Sequence, residues 1–195
     1  MKVTFRGQLS LIMLIEMFDI AGIKVISANT DGVVIYYHKS QIDTVKKIRK
    51  EWENKTKYIL EQTYYNKMVF TSVNDYFAEI INPETKKRIK IKYKGDFEID
   101  KEYHKNNSQR IVPIALSEYF INNVPIKKVI ENIGYEFINS YGEKEKTTIF
   151  DYCIGRKNND KVDNYSLVSG DKITKIYDKV IRYYISNSNE KFIKV

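Results

Sequence analysis

From Gln8 to Ala21 the chain is apolar almost all round, with Ser10, Glu16 and Asp19 the polar exceptions. This pattern predicts a helix largely buried in a larger body, ended by Gly22. Lys24–Ala28 and Val33–Tyr37 are short runs rich in Val, Ile and Tyr, separated by Asn29-Thr30-Asp31-Gly32. Asn and Asp-Gly favour tight turns, so these runs predict a β-hairpin with Asp31 at or beside its tip. Ile42, Val45, Ile48 and Trp52 recur at helical spacing among Lys46, Lys47, Arg49 and Lys50, the mark of an amphipathic helix with a basic outer face.

Tyr58–Tyr65 and Lys67–Ser72 read as extended. Asp75–Ile81 and Arg88–Tyr93 predict a second hairpin across Asn82-Pro83-Glu84-Thr85. After Gly95 the texture changes. Residues 98–110 are polar and charged, as in a linker or exposed crossing. Ile111–Asn122 and Ile126–Ile133 predict helices, with Pro125 at a first helical turn. Residues 139–172 are rich in Asn, Lys, Gly and Ser and predict loops. Ile173–Ser186 and Lys191–Val195 predict extended segments joined at Asn187-Ser188-Asn189. The fold class expected is α+β: an antiparallel sheet with packed helices over residues 1–97, then a smaller mixed helical and loop-rich region over residues 98–195.

Composition narrows the partners. With 195 residues and 43% hydrophobic content the chain can bury a core, and it lacks the signature of disorder. The net charge of +8 favours a polyanion such as nucleic acid. Residues 39–94 hold fourteen Lys or Arg against seven Asp or Glu, so nearly all the excess lies there. Cys153 is the sole cysteine, which rules out a disulfide within the chain. With only His38 and His104 besides, a zinc cluster is excluded too. No secretory pattern opens the sequence. The run Leu9–Ile20 is too short to span a membrane and carries Glu16 and Asp19, so a cytoplasmic protein without a membrane partner is expected.

The densest basic stretch is Lys86–Lys94, with six cations and no acid. Arg88, Lys90, Lys92 and Lys94 alternate there with Ile89, Ile91 and Tyr93, giving a strand with one charged and one apolar face. Same-face residues lie about 6.6 Å apart. A row at that pitch can follow phosphates that rise about 3.4 Å per step along a strand. A solvated face that resists edge pairing has the same pattern. Asp31 invites a similar choice, because a lone Asp in a turn is ordinarily a turn-former. No Gly-rich phosphate loop and no Ser-His-Asp set accompanies it.

The stretch Gly22-Ile23-Lys24-Val25-Ile26-Ser27-Ala28-Asn29-Thr30-Asp31-Gly32-Val33 resembles motif C of family B DNA polymerases. There a palm-domain hairpin carries an Asp-Thr-Asp-Ser type turn whose second Asp binds the catalytic metal ions, and Asp31 matches that Asp. The preceding apolar helix, approached through Arg6-Gly7-Gln8, resembles the palm helix leading into the motif. Thr71-Ser72-Val73-Asn74-Asp75-Tyr76 and the basic strand ending in Lys94-Gly95 resemble the hairpin that holds the primer-template duplex. His104-Lys105-Asn106, then Ile111-Val112-Pro113 and the helix to Asn123, resemble the approach to the thumb in phage-type members. The likeness runs over about residues 5–130, and the ordered series is more specific than motif C alone.

The resemblance implies a palm-like region over 1–97 and a thumb-like region over 98–195. It implies nucleotidyl transfer from a deoxynucleoside triphosphate (dNTP) to a primer 3′-hydroxyl, with Mg2+ held by Asp31. Asn29, Thr30 and Gly32 would shape the turn. Tyr76, Arg88, Lys90, Lys92, Lys94 and Lys105 would contact primer-template DNA. The sequence departs from the pattern in three ways. Asn29 and Gly32 replace the first acid and the Ser, Asn74 and Asp75 stand where the family has paired lysines, and no motif A half is found. The chain therefore reads as a polymerase fragment or subunit whose motif A half comes from a second chain or was lost by truncation. A non-catalytic nucleic-acid-binding or scaffold protein of the same shape is the rival.

Overall fold

The computed structural model describes residues 2–159, 166–169, 171–185 and 192–194. The protein is mixed α+β with antiparallel sheets, and it forms two compact units, Met1–Thr63 and Tyr64–Val195. The division expected after residue 97 falls inside the second unit. Strands before that position and helices after it share a single core, whose buried members include Phe77, Ile91, Ile99, Ile114 and Val129.

The first unit contains α1 (Lys2–Ile20), β1 (Lys24–Ala28), β2 (Val33–Tyr36) and α2 (Ile42–Thr56). Leu14 and Phe18 of α1, Ile23, and Val45, Ile48 and Trp52 of α2 form its core. Burial of each such side chain contributes about 1.5–3 kcal/mol. The Trp52 indole Nε1 donates to the Ser10 carbonyl at 2.6 Å and fixes α2 along α1. Helix α1 begins six residues earlier than the sequence pattern predicts, and it is buried on one side only. Phe5, Leu9 and Ile12, at i, i+4 and i+7, make an exposed stripe. Strands β1 and β2 pair antiparallel from Lys24↔Tyr36 to Ala28↔Val33, as expected. His38 has an ordinary role. Its Nδ1 accepts from the Ser40 N–H, and Gln41 Oε1 accepts from the His38 N–H, capping the turn before α2.

The second unit opens with β3 (Tyr65–Phe70), β4 (Tyr76–Ile81) and β5 (Arg88–Lys94), a three-stranded antiparallel sheet in that order. Helices α3 (Ile111–Asn122) and α4 (Ile126–Glu131) follow, with Pro125 at the α4 N-cap. One face of the sheet presents Phe77, Ile91 and Tyr93 to the core shared with these helices, and the Tyr93 hydroxyl donates to Ser117 Oγ at 2.9 Å. Next come β6 (Glu136–Ile138), β7 (Lys144–Lys146), β8 (Ile154–Lys157), β9 (Ser166–Ser169), β10 (Lys172–Lys175), β11 (Val180–Ile185) and β12 (Phe192–Lys194). The extended run expected over 173–186 is two strands, and 139–172 carries short strands where loops are predicted. The turn expected at Asn187–Asn189 lies outside the described residues.

The stretch 98–110 is not the exposed linker its polarity suggests. Ile99, Tyr103, His104, Asn106 and Arg110 are all buried. The cause lies in β11, where Arg182 is fully buried. Its guanidinium donates to the carbonyls of Asn106, Ser108, Phe150 and Cys153 at 2.8–3.4 Å. The Tyr103 ring has the Arg110 guanidinium 4.6 Å and the Arg182 guanidinium 5.1 Å from its centre. Arg110 is paired with buried Asp151 at 3.1 Å. Gly155 of β8 leaves room for the crossing backbone. A Cβ there would fall 2.6 Å from the Asn107 carbonyl oxygen, well inside contact distance.

Candidate nucleic-acid interface and acidic turn

Cross-strand partners share a sheet face, so the β4–β5 register settles which cations stand together. Tyr76↔Lys94, Ala78↔Lys92 and Ile80↔Lys90 lie on the face opposite the core of the second unit, and Phe70↔Tyr76 extends that face into β3. Lys90 and Lys92 are exposed and Lys94 is half-buried. None of the three has an ion-pair partner among the described residues. The Nζ atoms of Lys92 and Lys94 lie 5.9 and 5.8 Å from the centre of the Tyr76 ring, within cation–π range. Tyr76 itself is only 8% exposed, so it sets the two ammonium groups in place more than it offers a free ring. Phe70, about which the local sequence pattern is silent, supplies an exposed aromatic beside it. Its only signal is a position on β3 opposite Tyr76.

Arg88 departs from the expected row. The register jumps from Ile80↔Lys90 to Ile81↔Arg88, so Ile89 is an extra residue in β5. A bulge of this kind reverses the facing of what lies beyond it. Arg88 therefore turns to the core side, donating to Glu79 Oε1 at 2.7 Å and to Asn122 Oδ1 at 2.6 Å. Ile89 is left exposed instead. Burial raises the pKa of Glu79, but the hydrogen bonds from Asn66 and Arg88 outweigh it and hold the carboxyl below its usual range. Arg88 thus balances a buried acid and is withdrawn from the row. Lys105 is exposed and pairs with Glu102 within its own turn, a contact that keeps the Glu102 carboxyl below its usual range.

Asn74 and Asp75 occupy the loop that closes this end of the sheet. Asp75 accepts from the Ser72 hydroxyl at 2.5 Å and from the Asp96 N–H at 3.0 Å, so it laces the loop before β4 to the turn after β5. Gly95 permits this contact. It has φ +67, and a Cβ there would lie 2.1 Å from Asp75 Oδ1. The Ser72 and Asp96 donors lower the Asp75 pKa. A depressed carboxylate pKa adds stability above the unfolded-state value, and this is lost as pH falls through the folded value. Asp75→Ala should therefore lower the urea midpoint at neutral pH. The gap from the unaltered chain should close on acidification. A gap that stayed constant with pH would remove this role.

At the β1–β2 turn the Asn29 N–H donates to the Gly32 carbonyl at 3.0 Å, and the Asp31 N–H donates to Asn29 Oδ1 at 3.2 Å. The Asn29 side chain thus sustains an Asx-type bend. Thr30 and Asp31 are exposed at its tip. Among the described residues no group of three or more His, Cys, Asp or Glu could hold a metal ion. Magnesium can be bound through one or two carboxylates plus substrate phosphates, but two-metal phosphoryl transfer spans two ions with shared ligands. Asp31 alone does not make that centre among the described residues.

Among the described residues no helix is long and apolar enough to cross a membrane. Comparison of the chain with protein-family models, with curated proteins and with solved structures yields no match.

Proposed function

We propose that this chain is a palm-and-thumb portion of a DNA-directed DNA polymerase that grips primer-template DNA and lacks a complete active site of its own. The observation that carries the DNA-binding part is the Lys90, Lys92 and Lys94 row. It has no acidic partners among the described residues, its Lys92 and Lys94 are set over Tyr76, and it lies on a sheet face away from the core of its unit. Such a row neutralises backbone phosphates without reading sequence. The exposed Asp31 carboxylate, at the tip of a hairpin entered from an apolar helix, supports the polymerase part through its likeness to motif C. A separate chain would supply the second carboxylate and the dNTP site. The lone carboxylate equally favours a second reading, a non-catalytic nucleic-acid-binding scaffold that keeps the polymerase shape.

Two experiments test the proposal. The purified chain should bind a primer-template duplex yet leave the primer unextended when given Mg2+ and all four dNTPs. Extension by the chain alone would refute the claim of incompleteness. Replacing Lys92 and Lys94 together by Gln should flatten the plot of log affinity against log salt by about 1.8 units, near 0.9 for each phosphate no longer neutralised. An unchanged slope would assign the row to a solvated face.

A further inference from the structure

A second basic feature lies elsewhere in the same unit, in a stretch the sequence pattern assigns to loops. Strands β8 and β11 pair with Ile181↔Arg156 and Val180↔Lys157. At the end of β8 they border a recess of about 210 Å³ lined by Arg156, Lys157, Asn158, Asn159, Ile181 and Tyr183. Arg156 and Lys157 are both exposed, and neither has an ion-pair partner among the described residues. The nearest acid in sequence on the facing segment, Asp178, is occupied by Lys175 at 3.3 Å. The recess wall is held still from behind. The Asn158 N–H donates to the Lys179 carbonyl at 2.6 Å, and Asn158 Nδ2 donates to the Asp178 carbonyl at 2.9 Å.

Arg156 shares a sheet face with Ile181 and Tyr183, and its planar guanidinium suits a bidentate contact with a phosphate oxyanion, while Lys157, next along β8, adds a second cation to the lining. Ile181 and Tyr183 give the recess an apolar and aromatic wall against which a sugar or base can lie. Its volume falls below the roughly 300–1,000 Å³ of pockets that enclose drug-sized ligands. One phosphate with part of its sugar fits, with the rest of a strand continuing outside. We propose that this recess binds one phosphodiester of a single-stranded nucleic acid, at a site separate from the β5 lysine row. The inference stands whether or not the chain belongs to a polymerase.

The test uses the full chain, titrated with hexathymidylate and followed by amide NMR. The expected result is that resonances of 155–158 and 181–183 shift. Replacing Arg156 and Lys157 by Gln should weaken hexamer binding at least about fivefold and flatten the salt slope by about 0.7 units, the value for one single-strand phosphate no longer neutralised. Lys157→Gln alone provides a milder variant should the double change disturb β8. The Lys92, Lys94 double variant should keep the shifts of the 155–158 and 181–183 resonances on hexamer addition. Unaltered hexamer affinity in folded Arg156 and Lys157 variants would overturn the site, even with duplex binding by the β5 row intact. Equal affinity for inorganic phosphate would overturn the assignment to a strand. Weakened duplex binding with those recess shifts kept in the Lys92, Lys94 variant would support two distinct surfaces.

Discussion

Replacing Arg182 by Met should unfold the second unit at markedly lower urea, with a loss of at least about 3 kcal/mol, the order of one to two charged hydrogen bonds. Arg182 is fully buried, and its guanidinium is the donor to four backbone carbonyls from two separate segments, 106–108 and 150–153. Removing it leaves those acceptors without the charged donor that satisfies them. Hydrogen bonds to charged groups contribute about 1.5–3 kcal/mol each, and a buried acceptor stripped of its partner carries its full desolvation cost. The Tyr103 ring would also be deprived of one of its two flanking cations. Lysine should rescue little, since a single ammonium cannot reproduce a fork of donors spread over several carbonyls. Urea unfolding followed by far-ultraviolet circular dichroism checks this. A midpoint within error of the unaltered chain would show that the strap over residues 98–110 is held by other means.

The second large effect belongs to the proposed activity. In a preparation complemented with a chain supplying motif A, Asp31→Ala should reduce primer extension by at least about a hundredfold, the order seen when a group that stabilises transition-state charge is removed. The turn itself should persist in this variant. The Asn29 N–H to Gly32 carbonyl bond and the Asp31 N–H to Asn29 Oδ1 bond both use atoms that the substitution leaves in place. Fold and duplex affinity should therefore stay constant while synthesis falls. Undiminished synthesis would favour the scaffold reading.

Much of the local structure is legible in the sequence because its periodicity is clean. The Asn-Thr-Asp-Gly turn between two runs of β-branched residues forms the hairpin expected, and Val45, Ile48 and Trp52 face inward from α2 as their spacing requires. What escapes is set by contacts distant in sequence. Arg88 to Lys94 reads as unbroken alternation, and nothing local reveals that Ile89 is supernumerary. The bulge appears only when β4 fixes the register. Residues 98–110 look solvated because they are polar, yet their carbonyls are claimed by an arginine more than seventy positions away. The division between units is misplaced for a related reason. Polar texture changes after Gly95, but the apolar residues on either side of that change fill one interior. For the candidate site, Lys90, Lys92, Lys94 and Asp31 stand exposed or half-exposed as expected. Arg88 is half-exposed too but turns away from the row, because a neighbouring buried acid has first claim on it.

The indole clasp between α2 and α1 has a practical consequence. Trp52 is the chain's single tryptophan, and it is 4% exposed in the core of the first unit. Intrinsic fluorescence excited in the indole band therefore reports on residues 1–63 alone. A fluorescence melt set beside a dichroism melt would separate the unfolding of one unit from that of the other without any label.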